Sequence, residues 1–553
     1  RIAAEKAYGV IRDDLKFSVQ RSMLPEDVQV GDMLEAHQPD GNVFVVKVDD
    51  LNDVSAVLDA NHPLAGKDLI FDVEIVEVVS YNDIIMRVCL IVEGTYPYVI
   101  GGVSEWIQML MENMPDVKFS VVHLAPWQWN HPFRYELPKN LENLYEYQLF
   151  SNNPDPDELT KSVDVKKVIA KVRNMIELSS DERAKEFGDL LRLAAGKNVD
   201  SLLKTRHFWD FIIEIYEHYF SDEGFTGFYW TIIGFLIPIL GAIQSVPPKA
   251  DIYHSTTTGY ASLSALMGKY LYGGKLIITE HGIYHREREI EITKSTSVSE
   301  VYKPVWIEIF KLISKTVYEE CDLLTTLFEK NQLFQLELGA DFSKMRVISN
   351  GVDVDRFSAI EREEHETFNI GIVGRVVPIK DIISAIKCFD IVRKEIPNAF
   401  LYIMGPNDED EEYYERCKAL TELLHIDDRV IFTGKVNVRE YYGKLDVLLI
   451  SSISEGQPLV QLEAMASGIP VVTTNVGNCA EIALDPDGQS GFVVRSKNYV
   501  SMSEKIITLA KDKSLWLTFS ENGRKIAAAK YTLGRMISNY KELYYEVMHS
   551  AQK

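Results

Sequence analysis

Two carboxylates, Glu455 and Glu463, stand eight positions apart in SEGQPLVQLEAMASGIPVV, with a Gly-Gln-Pro turn directly after the first. Two helical turns take about 7 residues, so the two cannot simply share one helical face. The preceding run, VLLISSISEG, reads as a strand, and LVQLEAMASG reads as the helix that follows the turn. Glu455 then lies on the loop between strand and helix, and Glu463 lies one to two turns inside the helix. A carboxylate is a two-oxygen acceptor that suits vicinal hydroxyls, so Glu463 suits a ribose diol and Glu455 the hydroxyls of a second sugar. A retaining hydrolase, with an acid and a nucleophile about 5 Å apart, is the rival chemistry for such a pair.

A second constellation weighs against that rival. GRVVPIKD places Arg375 and Lys380 between the strand IGIVG and a helix that starts near Asp381. Two cations at a strand end beside a helix N-terminus make a diphosphate site that needs no metal, with Arg375 as a bidentate fork and Lys380 as a point charge. A hydrolase would leave both cations without a task.

These groups need a scaffold that brings strand ends together, and the chain has the length for it. At 553 residues it exceeds what one core serves. Hydrophobic residues make up 46% and charged residues 25%, a globular balance. The net charge of -24 with no basic run argues against a nucleic-acid partner. Cys89, Cys321, Cys388, Cys417 and Cys479 are odd in number and scattered, which predicts neither a disulfide framework nor a zinc site and fits a reducing cytoplasm. The opening RIAAEKAYGVIRDD lacks the apolar core of a signal peptide, and the missing initiator Met suggests a truncated start. Residues 224–248 carry no charge and are long enough to span a bilayer. Their glycines and Pro238, and the strands expected on both sides in one sheet, favour a buried or membrane-surface helix.

Residues 1–80 read as β-rich, with VFVVKVDDL and DLIFDVEIVEVV as strands and QPDGNV as a hairpin turn. The α/β rhythm starts at residue 86: the strand RVCLIV, a loop containing Gly101 and Gly102, then the helix VSEWIQMLMENM. That order sets backbone amides and a helix N-terminus at a strand's carboxyl end. Residues 140–243 read as a helical insertion. The α/β rhythm then returns, and a second such unit begins near Phe368. Two Rossmann-like halves joined near Asn350 imply a cleft between them that binds ligand at the strand ends.

Two resemblances sharpen the expectation. AYG at 7–9, NHPLAGK at 61–67 and LIFDVEIVEV at 69–78 resemble the later part of an FKBP-type prolyl isomerase of the SlyD kind, with Tyr8 and Phe71 at two pocket positions. The family's first strands would precede Arg1, which implies a truncated segment. Glu455 and Glu463 with their spacing, Gly374-Arg375 with Lys380, and SNGVD at 349–353 resemble the retaining glycosyltransferase family 4, of GT-B fold. EGTYPYVIGGVSEW at 93–106, TEHGIYHRERE at 279–289 and SEGQPL at 454–459 resemble, within it, the PelF-like enzymes of Pel exopolysaccharide biosynthesis.

The resemblance implies an α/β protein divided into a FKBP-like segment (1–80), an acceptor-side domain (86–349, with the insertion at 140–243), a nucleotide-sugar domain (350–534) and a C-terminal helix crossing back (535–553). It implies that Arg375 and Lys380 hold a donor diphosphate, Glu463 the ribose and Glu455 the donor sugar. Gly101, Gly102, Gly374, Gly456, Gln457, Pro458 and Leu459 complete the donor site. His281 is implied to border donor sugar and acceptor, where an ordinary imidazole could donate or accept a hydrogen bond near neutrality. His254, His285 and Arg286 are acceptor-side candidates.

The implied reaction retains anomeric configuration, needs no metal or other cofactor, and takes a UDP-linked hexose or N-acetylhexosamine to a growing polysaccharide. The implied setting is cytoplasmic, peripheral at the inner membrane, with Pel-type synthase proteins as partners. Asp-x-Asp triplets at 353–355, 408–410 and 485–487 are what an acidic chain supplies by chance. Gln457-Pro458 replaces the Phe-Gly usual in the wider family. A non-catalytic scaffold with a folding-helper segment, and a GT-B epimerase or phosphorylase, are the alternatives.

Overall fold

The computed structural model describes residues 11–25, 28–37, 43–61, 65–66, 85–128, 131–150 and 161–549. The chain divides into two compact units, Arg1–Ile84 and Ile85–Lys553. In the first, β1 (Lys16–Gln20), β2 (Met33–His37), β3 (Val43–Leu51) and β4 (Ser55–Asp59) form an antiparallel sheet in the order β1-β4-β3-β2. Val46, Val48 and Leu58 are buried in its small core with Val28. Most of the stretches that carry the FKBP resemblance, Tyr8 and Phe71 included, lie outside the described residues.

The second unit holds two parallel sheets. In one, β5 (Arg87–Glu93), β6 (Lys118–Ala125), β7 (Leu141–Gln148), β8 (Ile252–Ser255), β9 (Lys275–Glu280), β10 (Leu323–Thr326) and β11 (Met345–Val347) lie in the order β11-β10-β9-β8-β5-β6-β7. The chain starts at β5, builds outward on one side and then returns to build on the other, so strand order reverses between β5 and β8. In the other sheet, β12 (Phe368–Val373), β13 (Ala399–Met404), β14 (Val430–Gly434), β15 (Val447–Ile450), β16 (Val471–Thr474) and β17 (Gly491–Val494) lie in the order β14-β13-β12-β15-β16-β17. Here the reversal falls between β12 and β15. Loops leaving the strands at such a reversal diverge to opposite faces and open a crevice. The loops after β12 and β15 are those that carry Arg375, Lys380 and Glu455.

Both sheets are covered on both faces, which is why their strands read as continuous apolar runs. On β5, Val88, Leu90 and Val92 join one core with Trp106 and Ile107, while Cys89 and Ile91 join another with Leu191, Phe228 and Ile243. All five cysteines are buried free thiols.

The insertion is not helical from its start. Residues 141–148 (LENLYEYQ) form β7, the edge strand beside β6. Its charged, only partly buried side chains mask the strand because an edge position meets solvent. Helices follow at Val165–Ile176, Ser180–Ala194 and Arg206–Tyr219, the second opened by a Ser179/Glu182 capping box. The helix Phe225–Gln244 is long and apolar enough to cross a membrane. It lies between strands of one sheet, buries Phe228, Ile233 and Ile239 in the core, and leaves Trp230 exposed.

The C-terminal helix, Leu533–His549, sends Met536, Tyr540 and Tyr544 into the core that contains Val88 and Trp106. The chain passes between the halves twice, and the passages are bonded to each other: Val352 N donates to Tyr531 O at 2.9 Å and Leu533 N to Val352 O at 2.8 Å.

Candidate active site

A cleft of about 520 Å³ runs between the carboxyl ends of the two sheets. Gly101, Gly102 and His281 line it from the first half; Gly374, Arg375, Lys380, Glu455, Gly456, Gln457, Pro458, Leu459 and Glu463 line it from the second.

The cation loop follows β12. Lys380 closes a single 3-10 turn, and Asp381, at φ 48°, caps the helix Ile382–Glu395 by accepting from Ser384 N. This turn is fastened to the loop after β15: Ile453 N donates to Ile379 O at 2.8 Å, and Ser451 Oγ to Lys380 O at 2.7 Å. The two reactive loops therefore form one rigid wall. Across it Lys380 Nζ donates to Glu455 Oε1 at 2.5 Å, and Ser452 Oγ donates to the same oxygen at 2.6 Å. Arg375 Nη1 is held by both oxygens of Glu409 at 2.6 and 2.8 Å. Each cation is thus paired with a carboxylate.

Glu463 sits on the helix Leu459–Ala466, whose first residues Leu459 and Val460 line the cleft with Pro458. Tyr442 donates to its Oε2 at 3.0 Å. Burial pushes the Glu463 carboxyl up to about 7; the Tyr442 bond opposes this and nearby Glu105 adds to it. A half-buried carboxyl lining the cleft, with one oxygen bonded among the described residues, is suited to a pair of hydroxyls.

His281 follows β9. Its ring stands edge-on to Trp106 at 4.9 Å between centroids, and Nε2 is buried with no hydrogen-bond partner among the described residues. Burial lowers its pKa to about 4, so the imidazole is neutral at neutral pH. The expected ordinary pKa is corrected by this burial, while a neutral imidazole still donates through one ring nitrogen and accepts through the other. Gly456 meets this corner closely: a Cβ there would lie 2.6 Å from the His281 carbonyl oxygen.

Gln457 has a second task. Its Oε1 accepts from Asn350 N at 2.5 Å, and Asn350 Nδ2 donates to Gln457 O at 3.1 Å, which ties the turn to the joint between the halves. His254 is not at the cleft. It is fully buried, with Nδ1 bonded to Tyr544 and Nε2 to Thr279, a core histidine whose pKa burial lowers to about 3. His285 is buried in the helix Tyr284–Lys294 and lines neither the cleft nor the hollow beside it. Arg286 does line that hollow, stacked over Phe334 at 3.7 Å.

Four of the six aspartates in the Asp-x-Asp triplets have structural contacts. Asp353 and Asp410 cap helices, and Asp485 and Asp487 both pair with Lys530. Sequence reasoning missed Lys435, which lines the cleft and an adjoining chamber of about 970 Å³. A signal was present: VIFTGK ends its strand in Gly and a cation, as IGIVGR does. Trp106 and Asn350 fall in motifs that carry the resemblance but were assigned no role, and Tyr442 gave no signal, because each acts through a contact distant in sequence.

Two doubly wound halves that place cations, a helix N-terminus and carboxylates at one cleft define the GT-B class of glycosyltransferase fold. Solved structures agree: the UDP complex of Anabaena HepE superposes with a TM-score of 0.54 at 13% identity, over 84% of this chain and 100% of that one. Sucrose-phosphate synthase from Thermosynechococcus elongatus gives 0.55 at 14% identity, over 84% and 100%.

Residues 353–526 match the family "Glycosyl transferases group 1", and residues 86–343 match "Domain of unknown function (DUF3492)". The second half of the chain is thus similar to the group 1 glycosyltransferases and the first half to the DUF3492 domain. It is 32% identical over 176 residues to poly(glycerol-phosphate) alpha-glucosyltransferase of Bacillus subtilis, which is 32% of this chain and 25% of that protein. It is 30% identical over 190 residues to N-acetyl-alpha-D-glucosaminyl L-malate synthase of Bacillus anthracis, 34% and 47%. The chain thus spans a quarter to about half the length of these curated relatives.

Proposed function

We propose that the chain transfers a hexosyl or N-acetylhexosaminyl group from a UDP-sugar to a growing polysaccharide, with retention and without metal, as a PelF-like enzyme. The observation that carries this reading is the convergence of Arg375, Lys380, Glu455, Glu463 and His281 on one cleft. The UDP held by Anabaena HepE supports a uridine donor.

In this reading the ribose hydroxyls bind Glu463, and the diphosphate displaces Glu455 and Glu409 from Lys380 and Arg375. Glu455, once released, takes the hydroxyls of the donor sugar. The bond from C1 to the departing phosphate oxygen breaks as the acceptor oxygen attacks C1 from the same face. That phosphate oxygen receives the acceptor's proton, and the two cations stabilise the charge that develops on it. Neutral His281 offers a hydrogen bond at the sugar without adding charge. The N-terminal segment is read as an inert remnant of a SlyD-type isomerase, and the helix Phe225–Gln244 as a docking element for inner-membrane partners.

The test is calorimetric titration of UDP-glucose, UDP-N-acetylglucosamine, UDP-N-acetylgalactosamine and ADP-glucose, without divalent metal, against the wild type and an Arg375→Ala, Lys380→Ala double variant. One UDP-sugar should bind the wild type and lose at least about 100-fold in affinity in the variant, from two charge-assisted contacts. Binding by none of the four would refute the reading.

A further inference from the structure

A hollow of about 270 Å³ opens beside the cleft and shares His281, Glu455 and Gly456 with it. It therefore borders the corner assigned to the donor sugar. Its far wall comes from the helices Tyr284–Lys294 and Glu329–Glu337. Arg286 lies over the face of Phe334, and Ile283 and Phe328 supply an apolar floor. Flat cation-aromatic stacks beside apolar patches suit the C-H face of a sugar ring, and the edge of such a ring needs hydrogen-bonding groups.

Glu287 is the carboxylate of this wall. It packs on the backbone next to His281: a Cβ on Gly282 would lie 2.0 Å from Glu287 Oε1, so only glycine after His281 leaves room for the carboxylate there. The neighbouring carboxylates have partners. Glu455 holds Lys380 and Ser452; Glu280 holds Thr258, Tyr318 and Gln335; Glu93 holds Tyr284. The Glu287 carboxylate has no hydrogen bond or ion pair among the described residues; the residue is exposed on the wall of the hollow, where desolvation, then Glu280, raises its pKa. An exposed carboxylate on this wall presents its oxygens as acceptors to whatever enters the hollow.

We infer that Glu287 binds the acceptor: its carboxylate receives a hydrogen bond from a hydroxyl of the sugar to be glycosylated, whose ring face rests on the Arg286-Phe334 stack. The ligand class is a neutral, hydroxyl-rich terminal hexoside. This rests on the glycosyltransferase reading above and adds to it a residue that sets acceptor affinity.

The test uses the full chain, the UDP-sugar identified by calorimetry, and p-nitrophenyl α- and β-glycosides of glucose, N-acetylglucosamine and N-acetylgalactosamine as probes, with products followed by mass spectrometry. Glu287→Ala should raise the KM of the probe that is used by about tenfold, and Glu287→Gln, which keeps an acceptor oxygen, by about threefold. The calorimetric affinity for the UDP-sugar should stay within about twofold in both variants. An unchanged probe KM overturns the assignment, as does a donor affinity that falls in parallel with it. So does a wild type that binds and hydrolyses donor yet glycosylates no probe. A wild type that binds no UDP-sugar instead fails the parent reading, and this proposal with it.

Discussion

If Glu463 holds the donor ribose as proposed, donor binding is a function of pH. Desolvation pushes the Glu463 carboxyl up to about 7, and among the described residues only Tyr442 donates to it. Ribose hydroxyls are donors toward an ionised carboxylate, so they bind the deprotonated form better and lower its pKa. The ionised fraction for a group of this pKa is about 0.09 at pH 6 and about 0.91 at pH 8. The association constant for a UDP-sugar should therefore rise about tenfold across this interval, or about 1.4 kcal/mol. The diphosphate diester of a UDP-sugar has no proton to lose in the interval, and His281, at about 4, is already neutral throughout. Calorimetry at half-unit steps in buffers of differing ionisation enthalpy would give both the affinity and the proton released. Glu463→Gln should flatten the profile. Tyr442→Phe, by removing the bond that favours the charged form, should move the midpoint upward. A wild-type affinity that stays constant from pH 6 to 8, or a pH dependence that survives in Glu463→Gln, would refute this reasoning.

Two further outcomes follow from contacts at and behind the cleft. Glu409→Gln frees the Arg375 fork; both side chains are partly exposed (33% and 48%), so the pair is worth ~0.2–1 kcal/mol, and donor affinity should rise up to about fivefold, less at high salt. An affinity that falls would mean that Glu409 itself contacts the donor. Tyr318→Phe removes a donor from fully buried Glu280, the residue before His281, and should cost ~1.5–3 kcal/mol in chemical denaturation. A loss below about 0.5 kcal/mol would mean that Glu280 is carried protonated and does not need the bond.

The local chemistry of this protein was legible because it is written in short segments. Gly374-Arg375 and Lys380 follow one strand within a single loop, and Glu455 and Glu463 flank one strand-to-helix turn, so strand periodicity and turn residues sufficed to put each group at a strand end. The edge strand β7 was illegible, since its half-solvated surface carries the charges of a helix face. Assembly decided the rest. The reversal of strand order between β12 and β15 brings the Arg375 loop against the Glu455 loop, and only that contact forms the Lys380-Glu455 pair. His254 and His281 both follow or end a strand of the first sheet, and sequence treats them alike. The packing of Tyr544 and Thr279 makes one a bonded core residue, while the neighbouring Trp106 leaves the other's Nε2 without a partner at the cleft. Residue type and local spacing determine which groups reach a strand end; which of them face each other, and with what charge, depends on desolvation and on partners hundreds of residues away, and those exist only once the chain has folded.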